Sequence, residues 1–271
     1  MILSVVETSS GSSPVILAFP HTGTAVPPDI LVRLNAEGRL LRDTDWHVER
    51  LYDGLLSEAS VVRATFHRYV IDANRDPSGE SLYPGQNTTG LVPLTDFDGQ
   101  PIWREGAEPD AAEIARRMET FHAPYHAALA AEIERVKERH GVAILYDCHS
   151  IRSTIPFLFE GRLPDFNIGT MNGTTCAPAV EAAVAGFCTA AADYATVVNG
   201  RFKGGWTTRH YGRPERGVHA IQMELAQASH LAEEVPPFAL DTAKAERLRA
   251  VLGAILARLA DLAPSLKEVR P

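Results

Sequence analysis

The sequence predicts an α/β fold, with helices packed on an open, parallel sheet, and three observations carry that prediction. Four apolar runs each stop on a residue able to do chemistry: VILAFPH at His21, YVIDANR at Arg75, VAILYDCH at His149 and VHAIQMEL around Glu224. The run VAILYD is apolar enough to be buried on both faces, as central parallel strands are. Between such runs stand segments with apolar residues at three-to-four spacing, the pattern of amphipathic helices. Open α/β sheets place ligands in the crevice at the carboxyl ends of their strands. If the four runs are neighbouring parallel strands, two histidines, an arginine and a glutamate converge there.

Taken in order, the chain opens with two short strands around the SSGSS turn, the second over Val15–Phe19. The loop HTGTAVPPD follows, where Pro27 and Pro28 are expected to prevent immediate helix formation. A helix is expected from about Thr44, on the spacing of Trp46, Val48, Leu51, Leu55 and Leu56, with Thr44 or Asp43 as its cap. Strands are predicted over residues 61–64 and 69–73. The Gly/Pro/Asn/Thr-rich stretch 76–106 is long for a connection inside a compact domain, which suggests a lid or binding loop, with a hairpin at Asp98-Gly99. The stripe Ile114, Met118, Phe121, Tyr125, Leu129, Ile133 and Val136 predicts a long amphipathic helix that Pro124 should kink or split, stopped at His140-Gly141. The strand VAILYD, an irregular segment, the strand FNIGT, an Ala-rich helix over 178–192, the strand TVVN, a Gly/Arg-rich loop and the strand VHAIQMEL come next. A helix over 241–262 closes the pattern. No internal repeat or linker interrupts it, so one domain spanning 1–271 is expected.

Composition bounds the function. With 271 residues, 45% hydrophobic and 22% charged, the chain has the make-up of an ordinary globular protein with a substantial core. Its net charge of -8 argues against nucleic-acid or anionic-membrane partners, which normally need a basic face. No run is long enough to span a bilayer, and the first residues lack the basic start of a secretory signal. Three cysteines without paired spacing fit a reducing compartment, so a cytoplasmic location is expected.

A catalytic zinc site needs three ligands from His, Asp, Glu or Cys and one open position for water. His21 and His149, each just past a strand, are the nitrogen donors to consider, against the plainer role of hydrogen-bonded loop histidines. Asp45 and Glu49 lie four apart at the start of the expected helix, hence on one face, with Asp43 nearby; a carboxylate there either aims at a metal or simply favours the helix dipole. His122 and His126 form an HxxxH pair, but the HExxH glutamate is missing and Pro124 stands between them. Cys148 points to the opposite face from His149 and reads as a buried core thiol. Glu224 ends an apolar strand, where a carboxylate is costly unless paired with a cation or functional; as a functional group it is a general base and acid. Arg75, preceded by Asn74, offers the planar fork that captures a carboxylate. The loop RFKGGWTTRHYGRPER is the one strongly basic segment, either a solvated loop or a pocket for an anionic substrate.

These blocks in this order, FPHTGTAVP, DTDWHVERLYD, VIDANRD, LYPGQNTTGLVP, FHAPYHAAL, YDCHSI, GGWTTRHYG and VHAIQMEL, resemble the N-formylglutamate amidohydrolase (N-formylglutamate deformylase) family over nearly the whole length. The resemblance implies a three-layer α/β/α domain around a mixed, largely parallel sheet, similar to zinc carboxypeptidases and aspartoacylases. It implies His21 and His149 as zinc ligands, Glu224 as the catalytic carboxylate and Asn74-Arg75 as the holder of a substrate carboxylate. The wider pattern begins His-x-x-Glu, whereas Thr24 stands three residues after His21; the third ligand is therefore sought elsewhere, Asp45 before Glu49. The implied reaction is hydrolysis of N-formyl-L-glutamate to formate and L-glutamate, a last step in histidine degradation. The implied substrate is a small anionic N-acyl amino acid, with one carboxylate on Arg75 and the other on Arg209 or a neighbour, and with His210 polarising the carbonyl. Trp206 or the Asn87-Thr88-Thr89 loop is expected to fill the acyl side. The alternatives are a metal-dependent amidase for another N-acyl amino acid or small peptide, and a ligand-binding homologue without catalysis.

Overall fold

A computed structural model describes residues 4–266. Seven strands form one mixed sheet in the order β1-β3-β2-β4-β7-β5-β6. They are β1 (Val6–Ser9), β2 (Val15–Phe19), β3 (Ser60–Ala64), β4 (Ala143–Ile151), β5 (Phe166–Gly169), β6 (Thr196–Val198) and β7 (Val218–Ala226). The centre is parallel, β3 with β2, β2 with β4 and β4 with β7, while β1 on β3 and β5 on β7 run antiparallel. Both β4 and β7 are buried along all nine residues, as the unbroken apolar run VAILYD predicts for a central strand covered on both faces.

Side-chain alternation divides the core into two layers. Ile144, Tyr146 and Cys148 of β4 and Ile221, Met223 and Leu225 of β7 pack with helices α2 (Val48–Tyr52), α5 (Pro178–Ala190) and α7 (Thr242–Leu262). The opposite face, with Ala143, Leu145, Val218 and Ala220, packs against α4 (Ala123–His140), which presents Tyr125, Leu129, Ile133 and Val136. The result is the expected helix/sheet/helix sandwich. Helix α7 buries Leu248, Leu252, Ile255, Leu256 and Leu259 on one stripe and is started by the Asp241 carboxylate, which accepts from the Lys244 N–H. Truncating a fully buried leucine there, Leu252→Ala, carries a cost of about 2–5 kcal/mol.

Several local expectations are corrected. Pro27 and Pro28 do not bar a helix: Pro28 opens the one-turn α1 (Pro28–Leu31), because the first helical N–H groups lack intrahelical partners and a proline there loses nothing. The helix expected from Thr44 starts only at Val48, after His47 in a left-handed conformation (φ 62°), and neither Thr44 nor Asp43 caps it. The Asp43 carboxylate is instead buried and accepts from the Tyr69 hydroxyl at 2.9 Å and the Phe97 N–H at 3.0 Å. Residues 69–73 are not a strand. They form a buried turn in which Asp72 N–H bonds Leu91 O and Arg75 N–H bonds Asp72 O; a short apolar run fixes burial, not backbone conformation.

Pro124 acts as a break of one kind. The α3 helix (Ala111–Arg117) leads into a π-helical turn over Met118–His122, closed by the Ala123 N–H on Met118 O, before α4 begins. Widening the turn accommodates a ring that has no N–H to give and would crowd the carbonyl four residues back. The Asp98-Gly99 turn is present, with Gly99 at φ +77° and an isolated bridge between Thr95 and Pro101. The Gly/Arg-rich loop contains a short helix, α6 (Trp206–Tyr211). No helix among the described residues is long and apolar enough to cross a membrane.

Candidate functional site

Parallel pairing sets His149 directly beside Glu224 and Asp147 beside Gln222 at the carboxyl ends of β4 and β7. All four lie on the α4 face, the face opposite Cys148. His21 follows β2, and Asp45, in the turn before α2, is tied to it by Asp45 N–H on His21 O at 3.1 Å. The argument from a shared helix face therefore does not apply to Asp45 and Glu49, since only Glu49 lies in the helix. Glu49 borders a separate surface hollow with Tyr52 and Arg63, whereas Asp45 meets both histidines.

The three candidate donors are buried and close together. The Nδ1 atoms of His21 and His149 are 3.2 Å apart; Asp45 Oδ2 lies 3.0 Å from His149 Nδ1 and 3.8 Å from His21 Nδ1. A tetrahedral ion with bonds of about 2.0–2.1 Å separates neighbouring ligand atoms by roughly 3.3 Å, so these spacings fit one. The far nitrogens are engaged by carboxylates: His21 Nε2 with Asp72 Oδ1 at 2.6 Å and His149 Nε2 with Asp147 Oδ1 at 3.0 Å. The Asp72 bond fixes the His21 ring with Nδ1 turned to the centre, the usual outer support of a metal-binding histidine, while Asp147 stands by His149 as an ion-pair partner without hydrogen-bond geometry. The donor set of two imidazoles and a carboxylate suits zinc.

The charges are tightly balanced. Burial holds His21 down to about 4, with Arg68 adding to the effect. For His149 burial works in the same direction, but Asp147 and Asp45 outweigh it and lift its pKa well above the ordinary value. Burial opposes the Asp45 carboxylate too, yet Arg68 and the histidines hold it below the usual range. Arg68 donates to Asp45 Oδ1 at 2.7 Å and lies over the Phe97 ring, with its Nε unpartnered. Asp72 is held well down by Arg75, His21 and Arg68 against the burial that opposes its charge. Glu224, accepting from Gln222 Nε2 at 2.9 Å, is pushed up to about 8 by burial in the first place, with His149 counteracting.

One cavity is lined by His21, His149, Glu224 and Gln222 at its floor and by Arg68, Asn74, Arg75 and Arg201 on its walls, with Asn87, Thr88 and Thr89 also on its lining. Asn74 Oδ1 accepts from Thr207 N–H at 2.8 Å, which leaves Nδ2 facing His149 Nε2 at 3.1 Å. Gly205 is required beside it, because a Cβ there would stand 2.2 Å from Asn74 Nδ2. Arg75 is anchored by Nε on Thr89 O at 2.9 Å and Nη2 on Thr89 Oγ1 at 3.0 Å.

Arg209 and His210 are not brought to this cavity. Arg209 donates to Gly204 O and Leu82 O and lies over Tyr83, outside the cavity, and His210 stacks on Trp206. Trp206 packs on His122 and His126 rather than lining the acyl side. The HxxxH pair contacts backbone: His126 Nε2 meets Ala73 O at 2.8 Å and His122 Nε2 meets Arg75 O at 3.1 Å.

Arg68, Asp72, Asp147 and Gln222 escaped the sequence reading, and Arg201 entered it only as one of the basic residues of the loop RFKGGWTTRHYGRPER. Asp72 and Asp147 each stand two residues before a singled-out residue, Asn74 and His149, and that spacing is the only signal the sequence offers for them. Nothing in the sequence marks Arg68 among the other arginines, or Arg201 among the cations of its own loop.

Comparison with known proteins identifies the family. Residues 13–231 match the family described as N-formylglutamate amidohydrolase. The N-formylglutamate deformylase of Pseudomonas aeruginosa is 47% identical over 257 residues, 94% of this chain and 96% of that protein. That of Pseudomonas putida is 44% identical over 256 residues, 94% and 95% of the two chains. The crystal structure of N-formylglutamate amidohydrolase from Ralstonia eutropha JMP134 superposes with a TM-score of 0.81 at 26% identity, covering 97% of this chain and 99% of that one. A protein of Agrobacterium tumefaciens, 19% identical, shares the fold with a TM-score of 0.69 over 96% and 95% of the two chains. Sequence and structure together show that this chain belongs to the N-formylglutamate amidohydrolase family.

Proposed function

We propose that this chain hydrolyses N-formyl-L-glutamate to formate and L-glutamate, using a divalent cation, zinc by donor type, held by His21, Asp45 and His149. The observation that carries this is one cavity lined by both histidines of the His-Asp-His donor set, by the buried Glu224 carboxylate and by three arginines. The deformylases with nearly half their residues in common support the choice of substrate. When bound, the cation supplies Lewis-acid polarisation and lowers the pKa of water.

The remaining roles belong to the chain. Glu224, with its pKa raised to about 8, is poised near neutrality to take a proton from the attacking water and pass it to the leaving nitrogen. Arg68, on the same wall with an unpartnered Nε, offers a donor to the charge that develops on the amide oxygen. Asn74 and Arg75 hold the carboxylate next to the amide. Asn87, Thr88 and Thr89 bound the space left for the acyl group, and a panel of larger N-acyl glutamates tests whether they restrict it to formyl. Three free, buried cysteines support a cytoplasmic setting as part of this proposal.

The test is formate release from N-formyl-L-glutamate by the purified protein, before chelation, after it and after zinc is restored. Activity that vanishes and returns is expected. Formate absent under every metal refutes the substrate, and activity indifferent to chelation refutes the cation.

A further inference from the structure

Three arginines line the cavity, and they differ in what neutralises them. Arg68 is paired with Asp45, and Arg75 stands 3.7 Å from Asp72. Arg201 has no carboxylate within salt-bridge distance among the described residues. Its Nε donates to Leu158 O at 3.0 Å and its Nη2 to Asn87 O at 3.0 Å, while its guanidinium lies 5.2 Å from the Tyr83 ring centre and 5.3 Å from that of Phe202. Two carbonyls from separate loops and two rings thus fix the group in place, and Nη1 has no acceptor among the described residues. A rigid, half-buried cation without a carboxylate at salt-bridge distance is a prepared anion site, since burial works against its charge, and so does Arg75 in the same cavity, by more than Tyr83 and Glu224 favour it. A ligand bearing two carboxylates relieves both arginines at once.

Resting on the amidohydrolase activity proposed for this cavity, we propose that Arg201 binds the side-chain carboxylate of the substrate and selects N-formyl derivatives of acidic amino acids over their amides. Ile151, Leu158, Phe97 and Phe202 on the cavity wall provide the apolar surface along which a short methylene chain lies. Tyr83 supports the same group from above: its hydroxyl donates to Gly204 O and accepts from Lys203 N–H, both at 3.2 Å. Both Arg201 and Arg209 lie over the Tyr83 ring, and of the two only Arg201 lines this cavity.

The test compares N-formyl-L-glutamate with its neutral isostere N-formyl-L-glutamine in the native enzyme, Arg201→Gln, Arg201→Lys and Arg209→Gln. The native enzyme should favour the acid. In Arg201→Gln, kcat/KM for the acid should fall about 10- to 100-fold, the worth of hydrogen bonds to a charged group, while that for the amide holds, so that the preference collapses. Arg201→Lys should restore part of it. Equal loss on both substrates, an unchanged preference, or collapse in Arg209→Gln instead overturns the assignment. Calorimetric binding of glutarate and of butyrate separates this from failure of the activity itself. Should the native enzyme release no formate from either compound, glutarate binding weakened at least tenfold in Arg201→Gln with butyrate unaffected still upholds the Arg201 site, and unchanged glutarate binding sinks it.

Discussion

Asp72→Asn isolates the support of the proposed metal centre from the centre itself. Asp72 is fully buried, its Oδ1 is 2.6 Å from His21 Nε2 and also accepts from Asn74 N–H at 2.8 Å, and its Oδ2 faces Arg75 and Arg68 at 3.7 and 3.8 Å. Asparagine has the same shape, so its Oδ1 keeps both bonds and the turn 72–75 should survive. What is lost is the negative charge that makes His21 a stronger donor at Nδ1, and an amide N–H group is turned toward two guanidinium groups. Loss of such an outer partner typically costs 10- to 100-fold in metal affinity, about 1.4–2.7 kcal/mol. Zinc affinity, measured by competition with a chromogenic chelator, should fall by that factor. Activity should fall with it and recover in excess zinc, with KM at saturating metal changed little because Arg75 keeps its anchors on Thr89. Unaltered zinc affinity, or a loss of activity that excess zinc does not repair while circular dichroism shows an intact fold, refutes the role given to Asp72.

Other consequences are as direct. Glu224→Gln should keep its metal content and lose about 10²- to 10⁴-fold in kcat, as expected when a general base and acid is removed; full turnover would take Glu224 out of the mechanism. His126→Leu deprives Ala73 O of its 2.8 Å partner and should destabilise the fold by about 1–3 kcal/mol in urea titration with metal stoichiometry unchanged, whereas loss of bound metal would reinstate the HxxxH pair as ligands. His230, buried with its Nε2 on Trp46 O, is held down to about 4 chiefly by burial. The unfolded chain takes up that proton first, so the stability it contributes is complete above pH 6.5 and lost as pH falls toward 4, a change of about 3 kcal/mol. Urea midpoints of the native protein and His230→Gln at pH 7.5 and 4.5 should diverge accordingly, and parallel losses would contradict it. Cys176 and Cys188 are raised to about 12 by burial and Cys148 is also raised, so a thiol reagent at pH 8 should react with none of the three until the protein is unfolded. Rapid native labelling would show that one of them is exposed or activated.

Much of the fold was legible because burial is recorded residue by residue. The unbroken run at 143–146 marks a central strand, the 3.6-residue stripe from Ile114 to Val136 marks a helix, and Asp241 before α7 marks its start. His21, His149 and Glu224 were legible as residues near one edge of a sheet, although β4 continues past His149 to Ile151 and β7 past Glu224 to Ala226. Where an apolar run was short, the sequence misled: residues 69–73 are as buried as a strand, yet Asp72 draws its backbone into a turn by bonding His21 and Asn74.

What the sequence by itself determined is therefore the set of segments that bury, the sheet edge near which His21, His149 and Glu224 fall, and the residue types available for a metal, a base and an anion. Only the tertiary structure decided which of them meet. Asp72 reaches His21 across 51 residues and Asp45 reaches His149 across 104, and no local pattern encodes such pairings because they follow from strand order. Asp45 rather than Glu49 meets both histidines, and Arg201 rather than Arg209 lines the cavity, for the same reason. In each case residues of one type stand close in sequence, and the path of the backbone brings one to the cavity and carries the other away.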